Sequence, residues 1–229
     1  MTTFSQLIDG MAKELLRPDL RTAMASYLNQ TVREIHFRPN INVGIRYDAN
    51  RQEDELQVTT DDMWLWDLPS PTRFQDVEAL YSVERGIYIP QRSPQLSRKF
   101  SFDYDHDLYW YRGGSRIAIS GVKSGWRIQA SYFLFPRALA YQPEATRVVE
   151  WDANTDTYRL KGGGTPTQEQ LNAATNWVLM RWQEALSEGI RAKVWKRLGD
   201  ETRARMAFSA YESLRSSIWQ SEPSSGDVA

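Results

Sequence analysis

The ten residues Trp126-Arg127-Ile128-Gln129-Ala130-Ser131-Tyr132-Phe133-Leu134-Phe135 decide the fold class. Trp126, Ile128, Ala130, Tyr132 and Leu134 fall on one side of a period of two, with Arg127, Gln129 and Ser131 on the other, the pattern of a strand with one buried face. Gly121 to Gly125 turns the chain into it. Before that turn, Leu108-Tyr109-Trp110-Tyr111 and Ile117-Ala118-Ile119 read as a β-hairpin about Gly113-Gly114. Further back, Val43, Ile45 and Tyr47 alternate with polar residues, Met63-Trp64-Leu65-Trp66 is a short apolar run, and Tyr81, Val83, Ile87 and Ile89 alternate around Gly86. After the strand, Val148-Val149-Glu150-Trp151 and Tyr158-Arg159-Leu160 flank an Asp152-Ala153-Asn154 turn. The aperiodic, proline-bearing stretch from Pro90 to Arg98 reads as a loop.

On both sides of this β region the period lengthens to that of a helix. Phe4, Leu7, Ile8, Met11 and Leu15 mark one helix that ends at Arg17. Pro18, at home in a first turn, opens a second with Leu20, Met24, Tyr27, Leu28 and Ile35, closing near Arg38-Pro39-Asn40. At the other end Lys161-Gly162-Gly163-Gly164 is a hinge. Thr165, Pro166 and Gln168 then read as N-cap, N1 and N3 of a helix running through Leu171, Trp177, Trp182, Ile190 and Trp195 to Leu198. Gly199 stops it, and Asp200 caps a last helix carrying Met206, Phe208, Tyr211, Leu214, Ile218 and Trp219. The expected architecture is α+β: a helical bundle from the N- and C-terminal segments, residues 1–40 and 165–219, with an antiparallel β domain inserted at 41–160. Residues 220–229 are expected to form a flexible tail.

Composition narrows the function. The 229 residues carry 28 Lys and Arg against 29 Asp and Glu, a net charge of −1, which argues against a general nucleic-acid coat or a polybasic membrane binder. No window of eighteen apolar residues occurs, and Met1-Thr2-Thr3-Phe4 lacks the start of a secretory signal, so neither spanning nor export by that route is expected. The absence of cysteine removes disulfides, thiolate metal sites and thiol nucleophiles. Nine tryptophans are an excess of the residue type that anchors contacts between proteins.

No catalytic constellation stands out, and no cofactor or metal is expected. His36 and His106 are the two histidines, and neither lies in a nucleophile or metal-helix context. Asp103-Tyr104-Asp105-His106-Asp107 has acids at alternate positions, but an EF-hand loop begun at Asp103 needs Gly at 108 and Glu at 114, where the chain has Leu108 and Gly114. Asp61 and Asp62 are adjacent, so on a strand they point to opposite faces and cannot share a substrate. Lys161 precedes its glycines, the reverse of a phosphate loop. Tyr109-Trp110-Tyr111 and Trp64-Leu65-Trp66 fit a core, an interface, or a platform for sugars or bases. Consecutive aromatics on a strand must occupy both faces, so one face is either a second core or an interface.

The charges are segregated. Asp48, Glu53, Asp54, Glu55, Asp61 and Asp62 with Arg51 give residues 48–62 a net −5, read as a solvated loop or an acidic docking edge. Arg191, Lys193, Lys196, Arg197, Arg203 and Arg205 with Asp200 and Glu201 give 191–205 a net +4. Opposite patches on a neutral chain are what head-to-tail or stacked association between copies requires. The expected partner interface is therefore Arg191, Lys193, Lys196, Arg197, Arg203 and Arg205, with Trp195 and Trp219 as anchors.

Several stretches together resemble one family. They are the paired N-terminal helices ending in Val32-Arg33-Glu34-Ile35, the β region with Tyr109-Trp110-Tyr111-Arg112-Gly113-Gly114 and Trp126 to Phe135, and the turn Phe135-Pro136-Arg137-Ala138-Leu139. To these add Trp182-Gln183-Glu184-Ala185-Leu186, Arg191 through Asp200, Arg203-Ala204-Arg205 and Tyr211. In layout this resembles the head-to-tail adaptors of short-tailed bacteriophages, the connector or tail-tubular-A family. The resemblance implies a structural virion protein, assembled in the host cytoplasm as a homo-oligomeric ring, by family likeness a dodecamer. Such a ring docks on the portal above and receives the tail tube or nozzle below, while DNA passes through the bore without sequence-specific contacts. It also implies helices packed between protomers and a C-terminal tail that orders in the portal. A tail-completion or terminator protein of the same particle and an aromatic-rich carbohydrate-binding module are the alternatives.

Overall fold

The computed structural model describes residues 2–38, 43–44, 51–70, 73–92 and 108–221. The chain is α+β, with antiparallel sheets, and divides into two compact units, Met1–Arg46 with Pro136–Ala229 and Tyr47–Phe135. Ile41, Ile45, Tyr47 and Asp48, residues 93–98, the Asp103–Asp107 run with His106, and residues 222–229 lie outside the described residues.

The first unit begins with α1 (Phe4–Glu14), opened by a capping box in which Thr3 Oγ1 accepts from the Gln6 backbone N–H at 3.3 Å and Gln6 Oε1 accepts from the Thr3 N–H at 3.1 Å. A 3-10 turn, Pro18–Leu20, leads into α2 (Arg21–His36). The helix pair ends two residues short of Arg38: β1 (Phe37–Arg38) already pairs antiparallel with β2 (Val43–Gly44). Arg38 precedes Pro39, and a residue before proline is driven out of the α region.

Among the described residues the second unit holds seven strands in two sheets. They are β3 (Arg51–Gln57), β4 (Asp62–Asp67), β5 (Phe74–Ser82), β6 (Ile87–Tyr88), β7 (Tyr109–Gly113), β8 (Arg116–Val122) and β9 (Arg127–Leu134). Four run in the order β3-β9-β5-β6 and three in the order β4-β8-β7. The alternating stretch that fixed the fold class is β9, the strand between β3 and β5, with Ile128, Ala130 and Tyr132 turned into the core. The facing sheet supplies Trp66, Trp110, Ile117 and Ile119 to the same core. Trp66 meets Tyr132 edge to face at 5.6 Å, and Phe74 stacks on Tyr132 at 5.6 Å. The acidic 48–62 stretch is not a solvated loop throughout: residues 51–57 form an edge strand in register with β9 from Arg51↔Phe133 to Gln57↔Arg127. The backbone ladder of β9 holds it residue by residue, which local composition does not reveal. Gly86 and Gly114 sit at φ 67° and 62° in the β5-β6 and β7-β8 turns, where a side chain is disfavoured.

The chain then returns to the first unit. The hairpin β10 (Val149–Asp152) and β11 (Thr157–Leu160) belongs there, not with the sandwich. The cause is a long-range pairing: the Gln6 carboxamide donates to Trp151 O at 3.2 Å and accepts from Trp151 N–H at 2.9 Å, completing one strand-like rung from a side chain. The helix expected from Thr165 to Leu198 is three helices, α3 (Gln168–Ala174), α4 (Trp177–Arg181) and α5 (Gln183–Arg197). Thr167, not Thr165, is the N-cap, boxed with Gln170. Thr175 and Asn176 are extended, and Asn176 Oδ1 accepts from the Leu179 N–H at 2.9 Å, the local side-chain bond by which Asn and Thr compete with a continuous helix. The last helix, α6 (Glu201–Ser221), starts as expected: Gly199 at φ 77° ends α5, and Asp200 Oδ1 accepts from the Arg203 N–H at 3.0 Å. Gln220 and Ser221, expected in the tail, continue α6.

Candidate functional site

Helix α5 packs against both α2 and α6. At Gly189 the approach to α2 is so close that an added Cβ would fall 2.4 Å from Thr31 Cγ2 and 3.3 Å from Tyr211 Cδ2, so this crossing needs a residue without a side chain. Next to it the three helices leave a groove of about 590 Å3, with Tyr27, Ala192, Ala204 and Phe208 among its apolar wall and Lys196, Arg197 and Arg205 on its rim. Phe208 is 54% exposed. Helical spacing assigns Phe208 to the buried stripe of α6, but that stripe is filled by Ala204, Ala207, Tyr211 and Ile218, and Phe208 turns outward.

At the groove floor Glu34 Oε2 accepts from Lys193 Nζ at 2.8 Å and from the Tyr211 hydroxyl at 3.2 Å. Burial first, and then the Glu34 carboxylate, push the Tyr211 phenol above its ordinary range. It therefore stays protonated and serves as a donor. Lys193 also lies 5.7 Å from the centre of the Tyr211 ring.

The eight expected interface residues divide on this geometry. Arg191 is held by Glu14 at 2.8 Å and by Glu188, tying α5 to α1. Lys193 is held by Glu34. Arg203 pairs with Asp200 at 3.4 Å and lies over the Trp195 ring at 4.7 Å. Trp219 donates its indole N–H to Ile35 O at 2.8 Å, beneath the Arg215 guanidinium at 4.6 Å. These five side chains join elements of their own unit. Lys196, Arg197 and Arg205 are exposed, and among the described residues no close ion pair holds them, although the Arg197 charge acts on Asp19 from a distance. The structure brings these three together on one rim.

A second polar cluster carries no local sequence signal. The Asp9 carboxylate accepts from Arg21 Nε at 2.8 Å, from the Tyr141 hydroxyl at 2.7 Å and from Arg147 Nη2. Partial burial raises the Asp9 pKa, but the hydrogen bonds from Tyr141, Arg147 and Arg21 outweigh it and hold the group below its usual value. The contacts span up to 138 positions, beyond the reach of any spacing rule. The cluster pins α1 to the start of α2 and to the segment before β10.

His36 is fully buried, edge to face with Trp177 at 5.5 Å, a packing position. Trp66 and Trp110 are 7% and 5% exposed, so the aromatic strands spend these indoles on the sandwich core and offer neither as a stacking platform. Among the described residues no group of three or more acids, histidines or cysteines is placed to hold a metal ion, and no helix is long and apolar enough to cross a membrane.

No protein-family model matches the chain, and no curated protein matches it.

Proposed function

We propose that the protein is a structural component of a virion, a ring-forming adaptor between portal and tail that leaves a channel for DNA. The observation that carries this reading is the groove between α2, α5 and α6, where Lys196, Arg197 and Arg205 rim an apolar wall with Phe208 half in water. The neighbouring bases Arg191 and Lys193 are neutralised within the unit, so the rim charge is the part left for a partner. An aromatic flanked by arginines is the residue set of a protein contact. The layout of the chain supplies the rest, since it resembles the short-tailed phage adaptors in the stretches quoted above. In this assignment the protein has no catalytic step and no cofactor, and DNA meets the bore without base readout.

Native mass spectrometry and negative-stain imaging of the purified chain, alone and with a portal protein, test the assignment. A closed ring of many copies is expected in at least one condition. Monomers alone in both conditions refute it.

A further inference from the structure

The outer face of the three-stranded sheet in the second unit leaves apolar side chains in water. Met63 and Leu65 on β4 are 47% and 49% exposed, while Trp66 on the opposite face enters the core. The strand register continues their rows across the sheet: Met63 lies opposite Ser120 and then Tyr109, and Leu65 lies opposite Ala118 and then Tyr111. Tyr109 and Ala118 are buried, so the accessible strip is Met63 and Leu65 with half-buried Ser120 and Tyr111. This is the second face that the consecutive aromatics of β7 demand. Its head is acidic, while Arg116 neutralises Asp67 at the foot. Asp61 and Asp62 stand exposed at the head of β4 and Asp67 at its foot. Asp67 accepts from Arg116 Nε at 2.5 Å, and Asp61 Oδ1 accepts from the Ser124 N–H at 2.7 Å. Lys123 is the one base in the adjoining turn. Asp62 is at φ 65°, a left-handed backbone that fixes where the carboxylates leave the strand.

This surface is the complement of the helical groove: an apolar strip with an acidic head against an apolar trough whose rim carries three bases and one acid, Glu201. We infer that the two mate between copies, with β4 of one chain, led by Met63 and Leu65, seated in the α2-α5-α6 groove of the next. Groove against groove sets base on base, and sheet against sheet sets acid on acid, so the like-with-like dimer is opposed by charge. The pairing that remains is strip in groove, and taken head to tail it is heterologous. Each copy uses one surface as donor and the other as acceptor, which is the arrangement that closes into a ring or runs on as a filament. The inference builds on the ring assignment and names the contact between neighbours.

The chain has no cysteine, so a single introduced thiol is unique. Met63→Cys and Phe208→Cys replace half-exposed side chains and leave the cores intact; circular dichroism checks each fold. The two full-length variants, mixed and treated with a short bismaleimide, are expected to give a species at twice the 26.5 kDa chain mass. Its yield is expected to fall sharply in ~1 M salt, where screening acts within about 3 Å. Either variant alone is expected to stay at the monomer mass. In a parallel experiment on the cysteine-free chain, Lys196→Glu/Arg197→Glu and Asp61→Lys/Asp62→Lys are each expected to lose self-association, and their mixture to regain it. Rings without the mixed cross-link overturn this contact and leave the ring assignment standing. The mixed cross-link with open chains or dimers in place of rings keeps the contact and overturns ring closure. Neither cross-link nor ring overturns both.

Discussion

Gly189→Ala tests whether the spacing of α2 and α5 is set by the missing side chain. Helix propensity alone predicts stabilisation, since alanine in a helix interior is favoured over glycine by about 1 kcal/mol. Packing predicts the opposite. The new Cβ would sit 2.4 Å from Thr31 Cγ2, against about 3.5–4.0 Å for an unstrained carbon contact, so the helices must part by roughly 1 Å or Thr31 must leave its rotamer. Thr31 is fully buried and donates its hydroxyl to Tyr27 O at 2.8 Å, which opposes rotation. Overpacking of this kind costs about 1–3 kcal/mol, and an overlap of more than 1 Å belongs at the upper end. Setting about 3 against about 1 leaves a net loss of about 2 kcal/mol, or about 4–8 °C in the midpoint for a chain of this size. Thermal unfolding followed by helical circular dichroism measures it. The partner variant Thr31→Ser removes only the offending methyl group. Combined with Gly189→Ala it is expected to recover the propensity gain, a coupling of about 3 kcal/mol in a double-mutant cycle. A Gly189→Ala protein that melts higher than the parent refutes the packing argument, and a cycle with no coupling refutes the assignment to Thr31.

Asp9→Asn is expected to cost about 2 kcal/mol, below the usual figure for breaking a buried pair because Asp9 is 26% exposed while Arg147 is 6% exposed. Because the folded-state pKa of Asp9 lies below the unfolded value, its contribution is present above about pH 4 and lost as pH falls through the folded value, so urea midpoints of the variant should drop less than the parent's across that window. Trp110→Ala is expected to destabilise the sandwich by about 3–5 kcal/mol in chemical denaturation, since the indole is 5% exposed among core side chains; an unchanged midpoint contradicts its place in the core. Lys196→Glu/Arg197→Glu should move the unfolding midpoint by no more than about 0.5 kcal/mol, because both side chains are exposed, yet abolish assembly in native mass spectrometry; a large loss of stability shows instead that the rim serves the fold.

Residues 126–135, the capping chemistry of Asp200, and the glycine stops at Gly86, Gly114 and Gly199 were legible because each is a local rule: a period, a side chain three residues from its partner, a backbone angle that only glycine takes freely. The same rules misplaced the start of α3 by two residues and joined three helices into one, since Thr167 and Asn176 offer caps whose use depends on what packs nearby. The acidic run concealed β3, because an edge strand lying on β9 needs no apolar alternation of its own.

Sequence by itself determined the α+β class, the order of helices, strands and helices, the segregation of charge, and the requirement that the β7 aromatics fill two faces. Tertiary structure alone decided which charges face a partner. Arg191 and Lys193 differ from Lys196 and Arg197 by a few positions on one helix, yet Glu14 and Glu34, brought from α1 and α2, neutralise the first pair and leave the second on the rim. An ion pair forms wherever folding sets two opposite charges a few ångströms apart, at a sequence separation here of 159 to 177 residues. No local pattern encodes that distance; the packing of α5 between α2 and α6 sets it.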